Sequence, residues 1–312
     1  MSRSTFGSVT RVAHVLAVAA LAAALAACGG SDGTGGATAG EPISFEQLSQ
    51  AASTSAEATS GRFSFEFELS SPQLDESVGL SGEGAFDAAS KRASFSADMS
   101  SFMALLGGLF AGFAGDDGPD FGDPALWRIE TVRDGSTTYV KLPAIADELP
   151  AGKSWVKAED DQAVQAGSFS FRDFEQFTQA DPKQLLEALE GISGEIEVVG
   201  TEELRGVETT HYRATVDAES IAKRASEESG QDLGSLTDQF VEQSGISEVP
   251  FDIWMDDDGL VRKLLLDVTA TEPGSSEPSR AVVGFELWDF GETVEIDLPP
   301  ASEVADASQL KR

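Results

Sequence analysis

The sequence is poor in the residues that enzymes use most often for catalysis and for metal binding. Its 312 residues include one cysteine and two histidines. A chain with one cysteine forms no internal disulfide, so its stability has to come from packing. A catalytic triad or a zinc site would lack its parts. We therefore expect no enzymatic activity, no cofactor and no metal, and we interpret His211 as a histidine whose hydrogen bonds are satisfied within a strand.

Positive charge is also scarce. The chain has 21 lysines and arginines against 54 aspartates and glutamates, which gives a formal net charge of −33 at pH 7. Nucleic acid and anionic headgroups are repelled by such a surface, so we expect no nucleic-acid partner. Carboxylates are so abundant that their presence does not indicate acid-base catalysis. The hydrophobic content of 41% is enough for a core, and the length fits one large domain or two small ones.

The only cysteine, Cys28, ends a short apolar leader. Arg3 and Arg11 lie at the start, residues 12–24 form an apolar run, and Leu25-Ala26-Ala27-Cys28 follows. This order is typical of a secretory leader, and the run is shorter than the roughly 18 residues of a membrane span. Leu-Ala-Ala-Cys resembles the bacterial lipobox, which implies that residues 1–27 are a signal peptide and that Cys28 carries acyl chains such as palmitate.

Three further segments follow the leader. Residues 28–42 are rich in glycine and predict a flexible linker. Residues 43–300 are expected to form the folded domain, and residues 301–312, after Pro299-Pro300, a disordered tail. A capping box at Ser44 to Gln47 predicts a first helix that ends at Gly61.

Apolar and polar residues alternate in the first half of the domain. This alternation predicts strands with one apolar and one wet face, and its apolar positions are Phe63, Phe65, Phe67, Leu69, Val78, Leu80 and Phe95. Asp134-Gly135 and Arg205-Gly206 predict hairpin turns, and helical patterns follow at 181–191 and 218–244. The order of elements predicts one α+β domain built on a large, curved antiparallel sheet.

Residues 102–114 carry apolar side chains at helical spacing, interrupted by glycines. Two interpretations stay open for this segment. It is an ordinary core helix, or it is a mobile apolar flap over a cavity, because glycines weaken a helix by about 1 kcal/mol each.

Several hairpin segments resemble a known family. They are residues 206–213 (GVETTHYR), 251–259 (FDIWMDDDG) and 289–294 (DFGETV), with Tyr139-Val140 and residues 155–157 (WVK) upstream. Together they resemble the LppX/LprG family of actinobacterial lipoproteins, related in fold to the carriers LolA and LolB. The resemblance covers roughly Phe45 to Pro300. It implies a curved antiparallel half-barrel, with helices packed on a concave side that holds the acyl chains of a lipid or glycolipid.

The resemblance also implies a function without covalent chemistry. The protein would be lipid-anchored on the extracytoplasmic face of the cell membrane, and would carry or present its ligand in the envelope, with an envelope transporter as a candidate partner. The candidate cavity residues are Phe63, Phe65, Phe67, Leu69, Val78, Leu80, Phe95, Leu105, Leu106, Leu109, Phe110 and Tyr139. The alternatives are an envelope sensor or interaction module with the same fold, and an envelope hydrolase.

Overall fold

The structure is a computed structural model of the chain. It describes residues 43–56, 58–72, 74, 76–110, 120–159, 165–166, 169–170, 192–217, 248–271 and 277–310. The predicted signal peptide, Cys28 and most of the linker lie outside these residues. The predicted helices over 181–191 and 218–244 lie outside them as well.

The described residues contain two α-helices, which are α1 (Phe45–Ala56) and α2 (Ser100–Phe110). Neither of them is long and apolar enough to cross a membrane. Short 3-10 helices occupy Pro124–Trp127, Pro143–Glu148, Ala301–Glu303 and Ala307–Gln309. The strands are β1 (Ser60–Ser70), β2 (Val78–Asp87), β3 (Arg92–Asp98), β4 (Arg128–Asp134), β5 (Thr137–Lys141), β6 (Trp155–Glu159), β7 (Gln165–Ala166), β8 (Phe169–Ser170), β9 (Ile192–Leu204), β10 (Val207–Asp217), β11 (Glu248–Asp256), β12 (Val261–Ala270), β13 (Ser279–Trp288) and β14 (Val304–Asp306).

Twelve strands form one mostly antiparallel sheet. They are hydrogen-bonded in the order β14-β6-β5-β4-β3-β2-β1-β13-β12-β11-β10-β9, and β7 pairs with β8 separately. Strands that follow one another in the chain are neighbours from β1 to β6 and from β9 to β13. The large antiparallel sheet predicted from the sequence is therefore confirmed.

The tight turns of this sheet use residues that tolerate a left-handed backbone. Arg205 and Gly206 have φ values of 49° and 83° and join β9 to β10, while Gly135, with φ of 62°, joins β4 to β5. In the turn from β9 to β10, positive φ at both central positions matches the twist of the flanking strands. Both predicted hairpins are confirmed.

The chain divides into two compact units. Unit 1 contains α1, the Phe67–Ser70 end of β1, strands β9 to β12 and β13 as far as Glu286. Unit 2 contains the Ser60–Glu66 start of β1, strands β2 to β8, helix α2, β14 and the segments around them.

Helix α1 of unit 1 starts with the predicted capping box. The Ser44 backbone N–H donates to Gln47 Oε1 at 2.8 Å, and the Gln47 N–H donates to Ser44 Oγ at 3.2 Å. The predicted end at Gly61 is wrong, because the helix stops at Ala56 and Gly61 lies in β1. Its lack of a side chain there makes room for the Phe86 ring, which would be 3.1 Å from a Cβ atom.

The C-terminal segment is ordered as far as residue 310, contrary to the predicted disordered tail. Val304, Ala305 and Asp306 form β14, which pairs in parallel with β6, and Ala305 is almost completely buried. The Ser154 N–H donates to the Glu303 carbonyl oxygen at 2.9 Å. Pro299-Pro300 therefore does not mark the end of the folded region, because the segment that follows it pairs with the edge of β6.

Removing this segment should weaken unit 2. A chain that ends at Pro300 loses the three residue pairs of β14 and uncovers β6, so the free energy of unfolding should fall by about 2–4 kcal/mol. Urea unfolding followed by circular dichroism measures the loss. A chain that ends at Leu310 is the matched control and should unfold like the full chain. Equal midpoints for all three chains would show that β14 does not contribute to stability.

Candidate functional site

One face of the first three strands in unit 2 consists only of apolar residues. The register pairs Gly84 with Phe95 and Gly82 with Ala97, and Phe63 and Phe65 reach the same face from β1. The face is formed by Gly61, Phe63, Phe65, Val78, Leu80, Gly82, Gly84, Phe86, Ala93, Phe95 and Ala97. Because side chains alternate along a strand, the charged residues of these strands lie on the other side.

The phenylalanine rings on this face stack on one another. The Phe95 ring centroid lies 5.3 Å from that of Phe65 and 6.0 Å from that of Phe63, with interplanar angles of 24° and 10°. Phe65 and Phe95 are buried, whereas Phe63 is half-buried. Stacked rings of this kind combine area burial with a preferred geometry.

Two glycines of β2 allow the rings to lie against the sheet. A Cβ atom on Gly82 would come within 2.6 Å of the Phe65 ring, and one on Gly84 within 2.5 Å of the Ser94 carbonyl oxygen and too close to the Phe63 ring. Real Cβ atoms do not approach so closely. The glycines are therefore places where the phenylalanine rings approach the backbone closely.

The apolar face continues onto the next strands of unit 2. Phe95 is opposite Thr131, which is opposite Val140, and Val140 is opposite Val156. Val140 and Val156 are each only 1% exposed, as is Ile129, two residues before Thr131 on β4. These strands therefore extend the apolar face with closely packed side chains next to the rings of Phe63, Phe65 and Phe95.

Helix α2 is joined to the edge of this face at its first turn. The Ser101 hydroxyl donates to the Gly79 carbonyl oxygen at 2.7 Å and accepts the Gly79 N–H at 2.8 Å. Phe102 and Leu105 are half-buried. The predicted helical pattern over 102–114 is found as far as Phe110, and residues 111–114 lie outside the described residues. Whether the segment opens as a flap stays a prediction.

The predicted cavity residues differ in their placement. Phe65, Leu69, Val78 and Phe95 are buried, and Phe63, Phe67, Leu80, Leu105 and Tyr139 are half-buried. Phe67 and Leu69 belong to unit 1 and the others to unit 2. The side chains of Leu106, Leu109 and Phe110 are outside what the structure describes. The acyl-chain role of these residues stays a prediction.

Tyr139 lies on the opposite side of the sheet from Phe95. It is opposite Val132 and Lys157. Its neighbour Val140 is the residue that shares a side with Phe95, so Tyr139 points to the other side. There it packs against a cluster of Ala85, Val132, Trp155, Val294 and Ile296. The structure therefore does not bring Tyr139 together with the phenylalanine rings of the apolar face.

The polar side of unit 2 carries a groove that sequence reasoning missed. Its volume is about 260 Å³, and it crosses β1 to β4 between Trp288 and Trp155. Arg62, Glu83, Ser94, Ser96 and Glu130 are among its lining residues. One signal could have found it, since serines replace charges at successive wet-face positions of β3. The neighbouring strands that supply the tryptophans could not be identified without the strand order.

His211 of unit 1 belongs to a network of charged side chains. Its Nε2 atom is 2.7 Å from Asp252 Oδ1, and the Arg213 guanidinium donates to both Asp252 oxygens at 2.8 and 3.2 Å. The Asp252 side chain is 8% exposed. Its carboxylate raises the pKa of Arg213 through these hydrogen bonds and its charge. The network neutralises a carboxylate that would be costly to bury alone.

Aromatic stacking and a second carboxylate complete the surroundings of His211. The Trp254 ring is stacked on the imidazole with centroids 4.1 Å apart, and the indole N–H donates to Glu202. His211 Nδ1 lies 3.9 Å from Glu202 Oε1. The two ring nitrogens of His211 therefore face the carboxylates of Asp252 and Glu202. Histidine, cysteine, aspartate and glutamate side chains form no metal-binding group in the part of the chain that the structure describes.

Replacing Asp252 should destabilise unit 1. Asp252→Ala leaves the Arg213 guanidinium without its acceptor and His211 without its 2.7 Å partner, so the free energy of unfolding should fall by about 2–4 kcal/mol in urea titrations. The matched control is Asp267→Ala, because Asp267 pairs with Arg280 at the surface, where such pairs contribute about 0–1 kcal/mol. Equal losses for the two variants would contradict the stabilising role of the buried network.

Comparisons with known proteins find partial similarity. No family model matches the sequence. The chain is 28% identical over 160 residues to an uncharacterized 31.2 kDa protein from the rplA-rplJ intergenic region of Streptomyces griseus. These residues are 51% of this chain and 50% of that protein, so the chain spans about half the length of the curated relative it matches.

Three solved structures also match most of this chain at low sequence identity. The crystal structure of Mycobacterium tuberculosis LppX is 14% identical, with a TM-score of 0.42, and the match covers 81% of this chain and 97% of LppX. LprF from Mycobacterium bovis is 14% identical, with a TM-score of 0.39 and coverage of 83% and 99%. A LolA superfamily protein from Nitrosomonas europaea is 8% identical, with a TM-score of 0.25 and coverage of 82% and 96%.

Proposed function

We propose that this chain is an envelope lipoprotein that binds the acyl chains of a lipid or glycolipid and carries or presents that lipid. The observation that supports the proposal most directly is the uniformly apolar face of β1 to β3 in unit 2. A lipid-binding surface needs a large apolar area with few polar groups. An ordinary core strand needs the same property, so the half-buried members of the face distinguish the two cases.

Phe63 and Leu80 are two half-buried members of this face that an acyl chain could contact. Each keeps part of its apolar surface accessible, whereas Phe65 and Phe95 beside them are buried. At about 25 cal/mol per Å², sheltering an acyl chain of roughly 400 Å² is worth about 10 kcal/mol before the cost of ordering it. Apolar contact alone can therefore supply the affinity, and no covalent step is needed.

The N-terminal pattern supports the membrane location. The leader ends in Leu25-Ala26-Ala27-Cys28, and a glycine-rich linker separates Cys28 from α1. Each buried CH₂ of an attached lipid adds about 0.8 kcal/mol to membrane binding, and two or more chains give a stable anchor. In the proposed function the anchor keeps the domain close to the bilayer that supplies its ligand.

A polar substitution on the apolar face should remove bound lipid. The protein is secreted from its host in a form that begins at Ala39, behind a leader without a lipidated cysteine, and is examined by native mass spectrometry. We expect co-purifying lipid in the unsubstituted form and at least about tenfold less in Phe63→Asp and Leu80→Asp, since a charge in an apolar contact costs several kcal/mol.

Two further variants keep this experiment decisive. Leu298→Asp, at an exposed leucine away from the face, is the matched control and should retain the lipid. Leu80→Trp narrows the same surface without adding charge, and should reduce the lipid if the aspartate variants fail to fold. A protein that is always empty would overturn the lipid-binding proposal and would favour an interaction module.

Substitution of Cys28 should change location and not folding. Cys28→Ala removes the sulfur that would carry the lipid, so the full-length protein should move from the membrane fraction to the soluble fraction of its host. Circular dichroism should show the same fold for residues 43–310. Membrane attachment that persists in Cys28→Ala would contradict the proposed anchor.

A further inference from the structure

Strand β9 of unit 1 forms a long edge of the large sheet. It is the last strand in the hydrogen-bonding order, and within the part of the chain that the structure describes it pairs with β10 alone. The segment from Ile196 to Leu204 extends over about 27 Å at the usual rise of a strand. Its outward N–H and C=O groups therefore form a row of donors and acceptors with which an added strand can pair.

The other edge strand of this sheet, β14, offers much less. It has only three residues, and 3-10 helices lie directly before and after it. A short edge strand of this kind gives an incoming chain few backbone groups to pair with. The edge of β9 is therefore the place on the large sheet that best suits strand addition.

The side chains along the edge of β9 are mostly exposed. Val199, with 49% of its surface accessible, is a large apolar residue that an added strand would cover. It is the extra residue of a bulge, since Gly200 lies opposite His211 and Val198 opposite Tyr212. The exposed residues of the edge are Glu197, Val199, Gly200, Thr201, Glu202 and Glu203.

Two carboxylates at one end of this edge repel each other. Glu203 lies opposite Glu208 of β10, and both residues are exposed. No ion pair joins either of them to a cation among the described residues, and the nearby Arg205 Nε lies 2.6 Å from Glu286 Oε1. Like charges directly opposite each other destabilise a strand pair. A positive side chain next to Glu203 would relieve this repulsion.

The charge of the edge selects against several occupants. A second copy of this chain, paired edge to edge, would place the carboxylates of Glu197, Glu202 and Glu203 close to those of the same strand. An acidic peptide, a nucleic acid and an anionic headgroup would be repelled in the same way. The occupant that satisfies both the backbone groups and the carboxylates is an extended polypeptide with basic side chains.

We propose that the edge of β9 binds an extended basic segment of a partner protein by strand addition. Backbone hydrogen bonds between β9 and the segment supply the affinity, and a lysine or arginine next to Glu203 supplies the selectivity. An apolar residue of the segment covers Val199. The edge is separate from the apolar face of β1 to β3, so this binding does not depend on a bound lipid.

Fluorescence anisotropy with defined peptides tests the proposal. The full-length chain, in a non-ionic detergent and at near-physiological salt, is titrated with a labelled peptide of alternating lysine and valine. This peptide has nine residues, which matches the segment from Ile196 to Leu204. We expect it to bind, and we expect a peptide of alternating glutamate and valine to bind at least about tenfold more weakly.

Two methylated peptides separate strand addition from simple charge attraction. One carries N-methyl groups on every lysine and the other on every valine, so both keep the charge of the unmodified peptide. In a strand, alternate N–H groups point to opposite edges. The peptide whose methyl groups face β9 should therefore bind at least about tenfold more weakly than the unmodified peptide.

One substitution and its control locate the binding. Glu203→Lys replaces attraction by repulsion and should weaken binding of the lysine–valine peptide about tenfold. It also removes the repulsion with Glu208, so its midpoint in urea should be no lower than that of the unsubstituted chain. Glu148→Lys makes the same change of charge at an exposed 3-10 helix of unit 2 and should bind normally.

Hydrogen exchange followed by mass spectrometry gives a second readout of position. The lysine–valine peptide should slow amide exchange in residues 196–204, because its backbone pairs with that edge. Exchange in β14 should not change.

Four results would overturn the proposal. The first is no binding of the lysine–valine peptide, and the second is unchanged binding of both methylated peptides, which would show charge attraction only. The third is unchanged binding by Glu203→Lys. The fourth is a dimer of the unsubstituted chain in sedimentation velocity that the peptide dissociates, which would assign the edge to a second copy.

Discussion

The contact on which unit 2 depends is the fit of phenylalanine rings against bare backbone at Gly82 and Gly84. Both glycines lie on the same side of β2, and the rings of Phe63 and Phe65 occupy the space that their side chains would fill. This arrangement brings the rings onto Phe95 of the next strand. It also commits every second residue of β1 to β3 to one apolar surface, so that all charge is placed on the other surface.

Because charged residues are kept apart from the apolar surface, the few lysines and arginines of this strongly negative chain lie next to carboxylates. Arginines and lysines of both units lie within 3.2 Å of a carboxylate, as in the pairs of Arg62 with Asp289, Lys141 with Glu130 and Arg262 with Asp256. The Asp256 side chain of the last pair is only 4% exposed, so its charge has to be balanced where it lies. Excess carboxylates stay at the surface, where water and salt screen them.

Local patterns were sufficient to predict much of this fold, and long-range pairing was not. The Ser44 capping box, the Asp134-Gly135 and Arg205-Gly206 turns and the apolar alternation from Phe63 to Phe95 depend on neighbouring residues, and the structure contains all of them. The pairing of β14 with β6 joins segments about 150 residues apart and has no local signal. For the same reason the sequence could not show that Tyr139 lies on the opposite side of the sheet from Phe95, since its side depends on the register of β5 against β4.

The apolar face and the groove are separate surfaces because their residues alternate along the same strands. Glu83 lies between Gly82 and Gly84, and Ser94 and Ser96 flank Phe95. Each residue whose side chain lines the groove is therefore next in sequence to a residue of the apolar face. Glu83→Gln changes the groove and leaves the glycines and the phenylalanine rings in place, whereas Leu80→Asp changes the apolar face and leaves Glu83 and the serines in place. Each surface can therefore be changed without the other, although one set of backbone hydrogen bonds positions them both.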